Sequence, residues 1–231
     1  MNGCQATLVP SRDLNTGNNP YVKLLLEDYS HRAFDEVKVL DYKGKWSQAI
    51  PDKTFEKIDL EIGTGNGYHF AHRASENQDR LLVGIEVRFK PLIQAIRRAL
   101  KAGAADNAIM VRYNAYKLED LFSPQELNDV YIHHPDPWPK ERHWKHRLIQ
   151  PEFMDKLYEM QKPDSILEFK TDSRDYFLWS VEIFKNSKYK MVAYTEDLHQ
   201  SEYASTNFVT HFEKIFLKQG LPIHYCKLVR A

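Results

Sequence analysis

Cysteine is scarce in this chain: Cys4 and Cys226 are the only two in 231 residues, and they stand near opposite ends. Two such residues make neither a disulfide framework nor the paired spacing of a zinc site, so a reducing, cytoplasmic setting is expected. No apolar run approaches the roughly 18 residues of a membrane span. The N-terminus lacks the basic-then-apolar pattern of a secretion signal. Net charge is missing too, since 32 basic residues face 32 acidic ones. A surface for a polyanion must then come from clustering rather than from excess. There is no internal repeat, low-complexity tract or linker. What is left, 42% hydrophobic and 28% charged, is an ordinary soluble globular mixture. The length is ample for one α/β domain and short for two.

From Lys57 onward, strand and helix patterns alternate. Strands are predicted over Lys57–Ile62, Leu81–Glu86, Ala108–Arg112, Val130–His134, Ile166–Lys170, Tyr189–Tyr194 and Pro222–Val229. Helices are predicted over Gly67–Asn77, from Pro91 with Leu92, Ile93, Ile96 and Leu100 at helical spacing, and over Pro151–Gln161. Two more run from a cap at Asp172 through Lys185, and over Thr210–Gln219, closed by Gly220. Such βαβ units imply a mostly parallel sheet with helices on both faces. Residues 1–20 have little apolar periodicity and are read as a mobile arm. Residues 21–56 read as an N-terminal extension packing on a single domain that runs to 231.

Chemistry concentrates at the carboxyl ends of these strands, where open α/β sheets bind ligands. Gly63, Gly65 and Gly67 follow the first strand in a Gly-x-Gly-x-Gly turn that lets backbone approach a ligand. The dinucleotide fingerprint fails, because Tyr68 takes the place of its third glycine. Glu86 ends the second strand, where an acid can take ribose hydroxyls. Ribose recognition without a phosphate fingerprint favours a nucleoside such as S-adenosylmethionine over NAD. Glu61, Asn114, Asp136 and Asp172 also fall at or just past strand ends.

The stretch Pro135-Asp136-Pro137-Trp138-Pro139 is stiffened by three prolines, each fixing its own φ and extending the residue before it. Lys140 to Arg147 follow, with two Lys, two Arg and two His around Trp144. One carboxylate, flat aromatics and clustered cations suit a nucleobase held beside its phosphates. Arg88, Lys90, Arg97, Arg98 and Lys101 form a second basic cluster. His143 and His146 lack a third metal ligand, with Glu141 the nearest acid, so no metal is expected.

Taken together, the chain resembles the tRNA (guanine-N(7)-)-methyltransferase family. The matching pieces are Glu61-Ile62-Gly63-x-Gly65-x-Gly67, Gly84-Ile85-Glu86, Asn114-Ala115, Pro135-Asp136-Pro137-Trp138-x-Lys140-x-Arg142-His143, Lys170-Thr171-Asp172 and Thr210-x-Phe212-Glu213. They occur in the family's order, and the proline-rich piece is nearly private to it. His133 and His134 depart from the pattern, standing where the family usually has bulky apolar or aromatic residues. They read as neutral packing groups or as pH-sensitive contacts.

The resemblance implies a Rossmann-like class I fold of seven strands, the last antiparallel. It also implies methyl transfer from S-adenosylmethionine to guanine N(7) in the tRNA variable loop, with S-adenosylhomocysteine as product. It places Glu61, Gly63, Gly65, Gly67, Glu86, Asn114, Ala115 and Asp136 around the cofactor. Lys140, Arg142, Asp172, Thr210 and Glu213 fall on the substrate, and Asp136 is the catalytic residue. Glu61 can orient the cofactor's amino group or a water, or cap the glycine turn. Asn114 can read adenine or only shape its turn, and Asp172 can cap a helix as well as meet substrate. Thr206-Asn207-Phe208-Val209 offers a decoy start for the Thr-x-Phe-Glu piece but lacks its acid. The alternatives are a class I methyltransferase for another RNA or a small molecule, or a silent tRNA-binding subunit. Tyr21–Ile50 and the oligomeric state, monomer or homodimer, stay open.

Overall fold

In the computed structural model, which describes residues 8–15, 17 and 19–231, most strands are near-continuous apolar runs buried on both faces. That is the pattern of parallel strands covered by helices. The described residues fall into two compact units that divide between Asn128 and Asp129.

The first unit holds β1 (Ala33–Phe34), β2 (Lys57–Ile62), β3 (Arg80–Ile85) and β4 (Ala108–Val111). They pair in the order β1-β4-β3-β2, all parallel, with Glu61 beside Gly84 and Ile85 beside Val111. Its helices are α1 (Pro20–Lys23), α2 (Tyr68–Glu76), α3 (Phe89–Lys101) and α4 (Leu118–Leu121). One core joins Phe70, Ala71 and Ala74 of α2 to Leu92, Ile93, Ile96 and Ala99 of α3 and to Leu82, Ala108 and Met110. The i, i+3, i+4 spacing of those residues gives α3 its apolar stripe. α3 starts two residues before Pro91, because the first four N–H groups of a helix have no helical partner and proline there loses nothing.

The extension contributes β1, an eighth strand beyond the seven expected. It also adds an aromatic stack of Phe34, Tyr42, Trp46 and Phe122, in which the Trp46 indole donates to the Leu121 carbonyl (2.8 Å). Of the segment read as a mobile arm, residues 1–7, 16 and 18 lie outside the described residues. Val9 to Arg12 are held on the unit. Ser11 is buried and donates twice to Glu36 (2.9 Å each), Arg12 pairs with Asp35 (2.6 Å), and Arg112 donates to the Val9 carbonyl (3.0 Å).

The second unit holds β5 (Val130–His133), β6 (Ile166–Thr171), β7 (Lys190–Thr195) and β8 (His224–Val229), in the order β5-β6-β8-β7. β5 and β6 are parallel, and β8 runs antiparallel to both β6 and β7. The expected antiparallel last strand is therefore present. Helices α5 (Pro151–Met160), α6 (Arg174–Lys185) and α7 (His211–Lys218) complete it. The side-chain alternation of a strand decides what each face of β6 meets. Phe169 packs on Tyr176, Phe177 and Phe184 of α6. Glu168 and Lys170 face the other way.

The predicted cap of α6 is corrected by one residue. Ser173, not Asp172, is the N-cap, its hydroxyl accepting from the Tyr176 N–H (3.4 Å). Asp172 is turned instead toward His134.

Candidate functional site

The first unit carries the glycine turn. Gly63, Gly65 and Gly67 have φ of 74°, 52° and 73°, in the left-handed region that side chains disfavour. At Gly67 the need is double, since an added Cβ would lie 2.4 Å from the Ala95 Cα on α3. The close helix packing that a dinucleotide turn obtains from its third glycine is thus obtained here one residue earlier. Tyr68, in the place of that third glycine, lies under the Arg98 guanidinium (3.6 Å to the ring centroid). The Arg98 Nε donates to the Asn66 carbonyl (3.1 Å). Three members of the second basic cluster are therefore already engaged, because Arg97 donates to the Tyr29 hydroxyl and the Arg88 Nε to Glu86 (3.5 Å).

Glu86 is 5% exposed and accepts from the Gly65 N–H (3.1 Å) and the Arg88 N–H (2.9 Å). The cap on the glycine turn is therefore Glu86 rather than Glu61. Glu61 is buried and meets the buried His69 Nδ1 at 2.7 Å. His69 went unread in the sequence, where it looked like one more helical residue after the glycines. Asn114 caps the short turn Ala115–Lys117, its Oδ1 accepting from the Tyr116 N–H (3.0 Å). The turn role is real, and the amide hydrogens on Nδ2 remain the donors that an adenine would meet.

In the second unit β5 runs into the proline track. His134 (φ 50°) and Trp138 (φ 45°) both take left-handed backbone, rare for residues with side chains, and they bracket Pro135-Asp136-Pro137. Asp136 is exposed. The Trp138 ring stands edge-on to His143 and tilted against His146, with centroids 5.8 and 5.2 Å away. These contacts fold the 3-10 turn Glu141–His146 onto the track.

Lys140, Arg142 and Lys145 are exposed, as the basic-patch reading requires. Arg147 is not: only 1% of it reaches solvent. Its Nε donates to the Pro137 carbonyl (2.8 Å), and its guanidinium lies among Trp144, Tyr176 and Trp179, 4.5 to 5.0 Å from each ring centroid. Arg147 fastens the track from beneath and leaves the phosphate-facing set.

The polar face of β6 forms a buried ionic network. Lys170 reaches Asn207 Oδ1 (2.5 Å), Glu168 (3.5 Å) and Glu213 (3.6 Å). Glu168 also meets His133 Nε2 (3.0 Å) and the Tyr225 hydroxyl (3.3 Å). Glu213, with no exposed surface, accepts from Asn207 Nδ2 (2.9 Å). Burial alone would raise its carboxyl, yet His134, Lys170 and Asn207 outweigh that and hold it at about 2. Thr210 caps α7, its hydroxyl accepting from the Glu213 N–H (3.2 Å). The resemblance put Thr210 and Glu213 against substrate. The structure places both inside, one capping a helix and one neutralising Lys170. The decoy segment proves useful through Asn207, which binds both Lys170 and Glu213.

The family described as "Putative methyltransferase" matches residues 56–226. A tRNA (guanine-N(7)-)-methyltransferase of Bdellovibrio bacteriovorus is 46% identical over 202 residues, 87% of this chain and 96% of that protein. The protein of the same name in Bacillus subtilis is 35% identical, covering 80% of this chain and 84% of its own. Among solved structures, a 16S rRNA methyltransferase superposes with TM-score 0.54 at 13% identity, over 76% of this chain and 88% of that one. An antibiotic-related methyltransferase gives TM-score 0.52 at 19% identity, over 76% and 87%. Those two likenesses are to the Rossmann-like methyltransferase fold.

Proposed function

The chain belongs to the tRNA (guanine-N(7)-)-methyltransferase family, and from that membership we propose how its residues divide the work and which guanine they serve. It transfers a methyl group from S-adenosylmethionine to N(7) of a guanine in tRNA, leaving S-adenosylhomocysteine.

The first unit fits the cofactor. A turn of three left-handed glycines backed against Ala95, with Glu86 already bonded to its central N–H, is a rigid, anion-ended cradle. Each oxygen of Glu86 has lone pairs beyond its backbone donors, so the ribose diol can donate to it. Asn114 offers its amide hydrogens to adenine. Glu61, oriented by His69, takes the amino group of the methionine portion. Bound S-adenosylmethionine supplies an electrophilic methyl on a sulfonium.

Guanine N(7) carries a lone pair and no proton, so no residue has to create the nucleophile. The chain's task is to position and to stabilise charge. Asp136 is the catalytic residue in this reading. Its carboxylate accepts from the guanine edge that carries N–H groups and opposes the cation that forms on the purine. The observation that carries this is the exposed Asp136 on a track held at both ends by left-handed residues and beneath by Arg147. Lys140, Arg142 and Lys145 meet phosphates, and Asp172 steers the track through His134.

The substrate guanine lies in the variable loop, the enzyme works in the cytoplasm, and residues 21–231 act as one methyltransferase domain with 21–56 as its extension. Among the described residues no helix is long and apolar enough to cross a membrane. Radiolabelled methyl transfer to unmodified tRNA, followed by nuclease mapping, tests the assignment. Label is expected as 7-methylguanosine from the variable loop, and label elsewhere in the tRNA would overturn the choice of guanine.

A further inference from the structure

Glu86 opens the short link from β3 to α3, and the peptide that joins Val87 to Arg88 in that link is held at both of its polar ends. Its N–H, that of Arg88, donates to Glu86 Oε1 (2.9 Å). Its carbonyl, that of Val87, accepts from Arg112 Nε (2.9 Å). Arg112 is the first residue after β4, two before Asn114, and only 6% of it reaches solvent. Its guanidinium lies over the ring of Phe89, the first residue of α3, 3.9 Å from the centroid. Its Nη1 reaches the Val9 carbonyl (3.0 Å), the Ser11 hydroxyl (3.3 Å) and the Glu36 carboxylate. The backbone ties the same strand ends together. The Glu86 N–H donates to the Val111 carbonyl (3.1 Å), and the Arg112 N–H to the Phe34 carbonyl (3.0 Å).

We infer that Arg112 is a positioning residue for Glu86: by holding the Val87 carbonyl it aims the Arg88 N–H at the Glu86 carboxylate, and so fixes the oxygens that take the cofactor's ribose. This rests on Glu86 being the ribose acceptor. A trans peptide is planar, with its C=O and N–H on opposite sides, so whatever holds the oxygen also sets the direction of the hydrogen. Val87 is 41% exposed and stands between β3 and α3, where no regular ladder sets that plane. A guanidinium suits the task because its N–H groups form a rigid fork. Nε meets the link while Nη1 meets Val9, Ser11 and Glu36. Glu36 is the countercharge for the buried cation, and it also accepts from the Ser11 N–H and hydroxyl (2.9 Å each). Val9, Ser11 and Glu36, all N-terminal to the glycine turn, therefore bear on the cofactor site through one side chain.

Calorimetric affinities for S-adenosylhomocysteine and for its analogue lacking both ribose hydroxyls test the inference. The parent protein should prefer the natural nucleoside by about tenfold to a hundredfold, the scale of one charge-assisted hydrogen bond. Arg112→Lys keeps the charge beside Glu36 but loses the fork, and should cut that preference to about threefold or less. A role confined to stability would weaken both ligands alike and leave their ratio intact, so a parental ratio in Arg112→Lys overturns the inference. In Glu86→Gln, which has already lost the charged acceptor, Arg112→Lys should cost no further preference, and additive losses overturn the inference as well. Where Arg112→Lys does not fold, hydrogen exchange at the Arg88 amide of the unaltered, cofactor-free protein decides. Exchange slower than that of an unprotected peptide supports the held plane, and exchange at the unprotected rate overturns it. Absence of any hydroxyl preference in the parent protein would instead remove Glu86 as ribose acceptor, while the Arg88 exchange still reports on the plane.

Discussion

The Nε of Arg147 donates 2.8 Å to the carbonyl of Pro137, the residue after Asp136, from a site where the guanidinium is walled by three aromatic rings. A basic residue that the sequence places in an RNA-binding run is thus part of the floor under the proline track. Arg147→Lys keeps the charge but loses the planar stacking and the fixed donor geometry. It is expected to lower the melting temperature and the single-turnover rate while leaving the salt dependence of tRNA binding unaltered. Arg147→Ala also leaves a half-buried carbonyl without its donor, a loss of roughly 1 kcal/mol before cavity effects. Thermal unfolding beside binding titrations at several salt concentrations checks both.

Lys140, Arg142 and Lys145 are the exposed members of that run. Replacing all three with Ser should flatten the plot of log affinity for tRNA against log salt by about 2 units. That follows if each contact releases roughly 0.7 counterion. Calorimetric affinity for S-adenosylmethionine should not move.

For Asp136 the two ways of helping the reaction separate in single-turnover kinetics. If the carboxylate chiefly orients guanine, Asp136→Asn should retain clearly more activity than Asp136→Ala. If it chiefly opposes the purine cation, both should fall alike, because an amide carries no charge. Parental activity in Asp136→Ala would remove the track from the mechanism.

Glu86→Ala should weaken S-adenosylmethionine binding by removing the ribose acceptor and the cap on Gly65 together. Glu86→Gln keeps an acceptor for the Gly65 N–H and should recover part of the affinity. Affinity for tRNA should be indifferent to both, as measured by filter binding without cofactor.

Glu213 makes the stability of the fold fall in acid. Its carboxyl is held at about 2, far below the 4.5 of a free glutamate. The stability it contributes is present above the unfolded value and lost as pH falls from about 4.5 toward 2. His134 is raised, so its contribution is complete at low pH and lost as pH climbs through the raised value. Urea unfolding at pH 6, 4 and 3 should show a stability loss toward acid that is smaller in Glu213→Gln.

Most of the frame was legible in the sequence because it is local. β2 appears at the bounds its apolar run gives, and α3 follows its stripe, apart from a start that only the spare N–H groups of a first turn explain. β1 was not legible: two residues, Ala33 and Phe34, carry no period, and only pairing with Met110 and Val111 makes them a strand. In the site, features set by the local backbone, such as the glycine turn and the proline track that exposes Asp136, are visible in the sequence. Surroundings set by what lies across the fold are not. Arg147, Glu213 and His69 are ordinary letters in a row, and their burial comes from partners distant in sequence. Asp172 and Ser173 show the smallest version of this. Both are good caps, and only His134, 38 residues away, decides which of them is released for other use.

The contact between Gly67 and Ala95 has a practical side for anyone wishing to make the enzyme accept bulkier sulfonium donors. With an added Cβ on Gly67 falling 2.5 Å from the Ala95 side chain, neither position has room to grow, and enlarging either would lever α3 off the cradle. Shrinking them gains nothing, since one is already glycine and the other alanine. Trimming Arg98, one turn farther along α3, or the exposed Tyr68 beneath it, would loosen side chains next to the turn without touching the contact of Gly67 with Ala95.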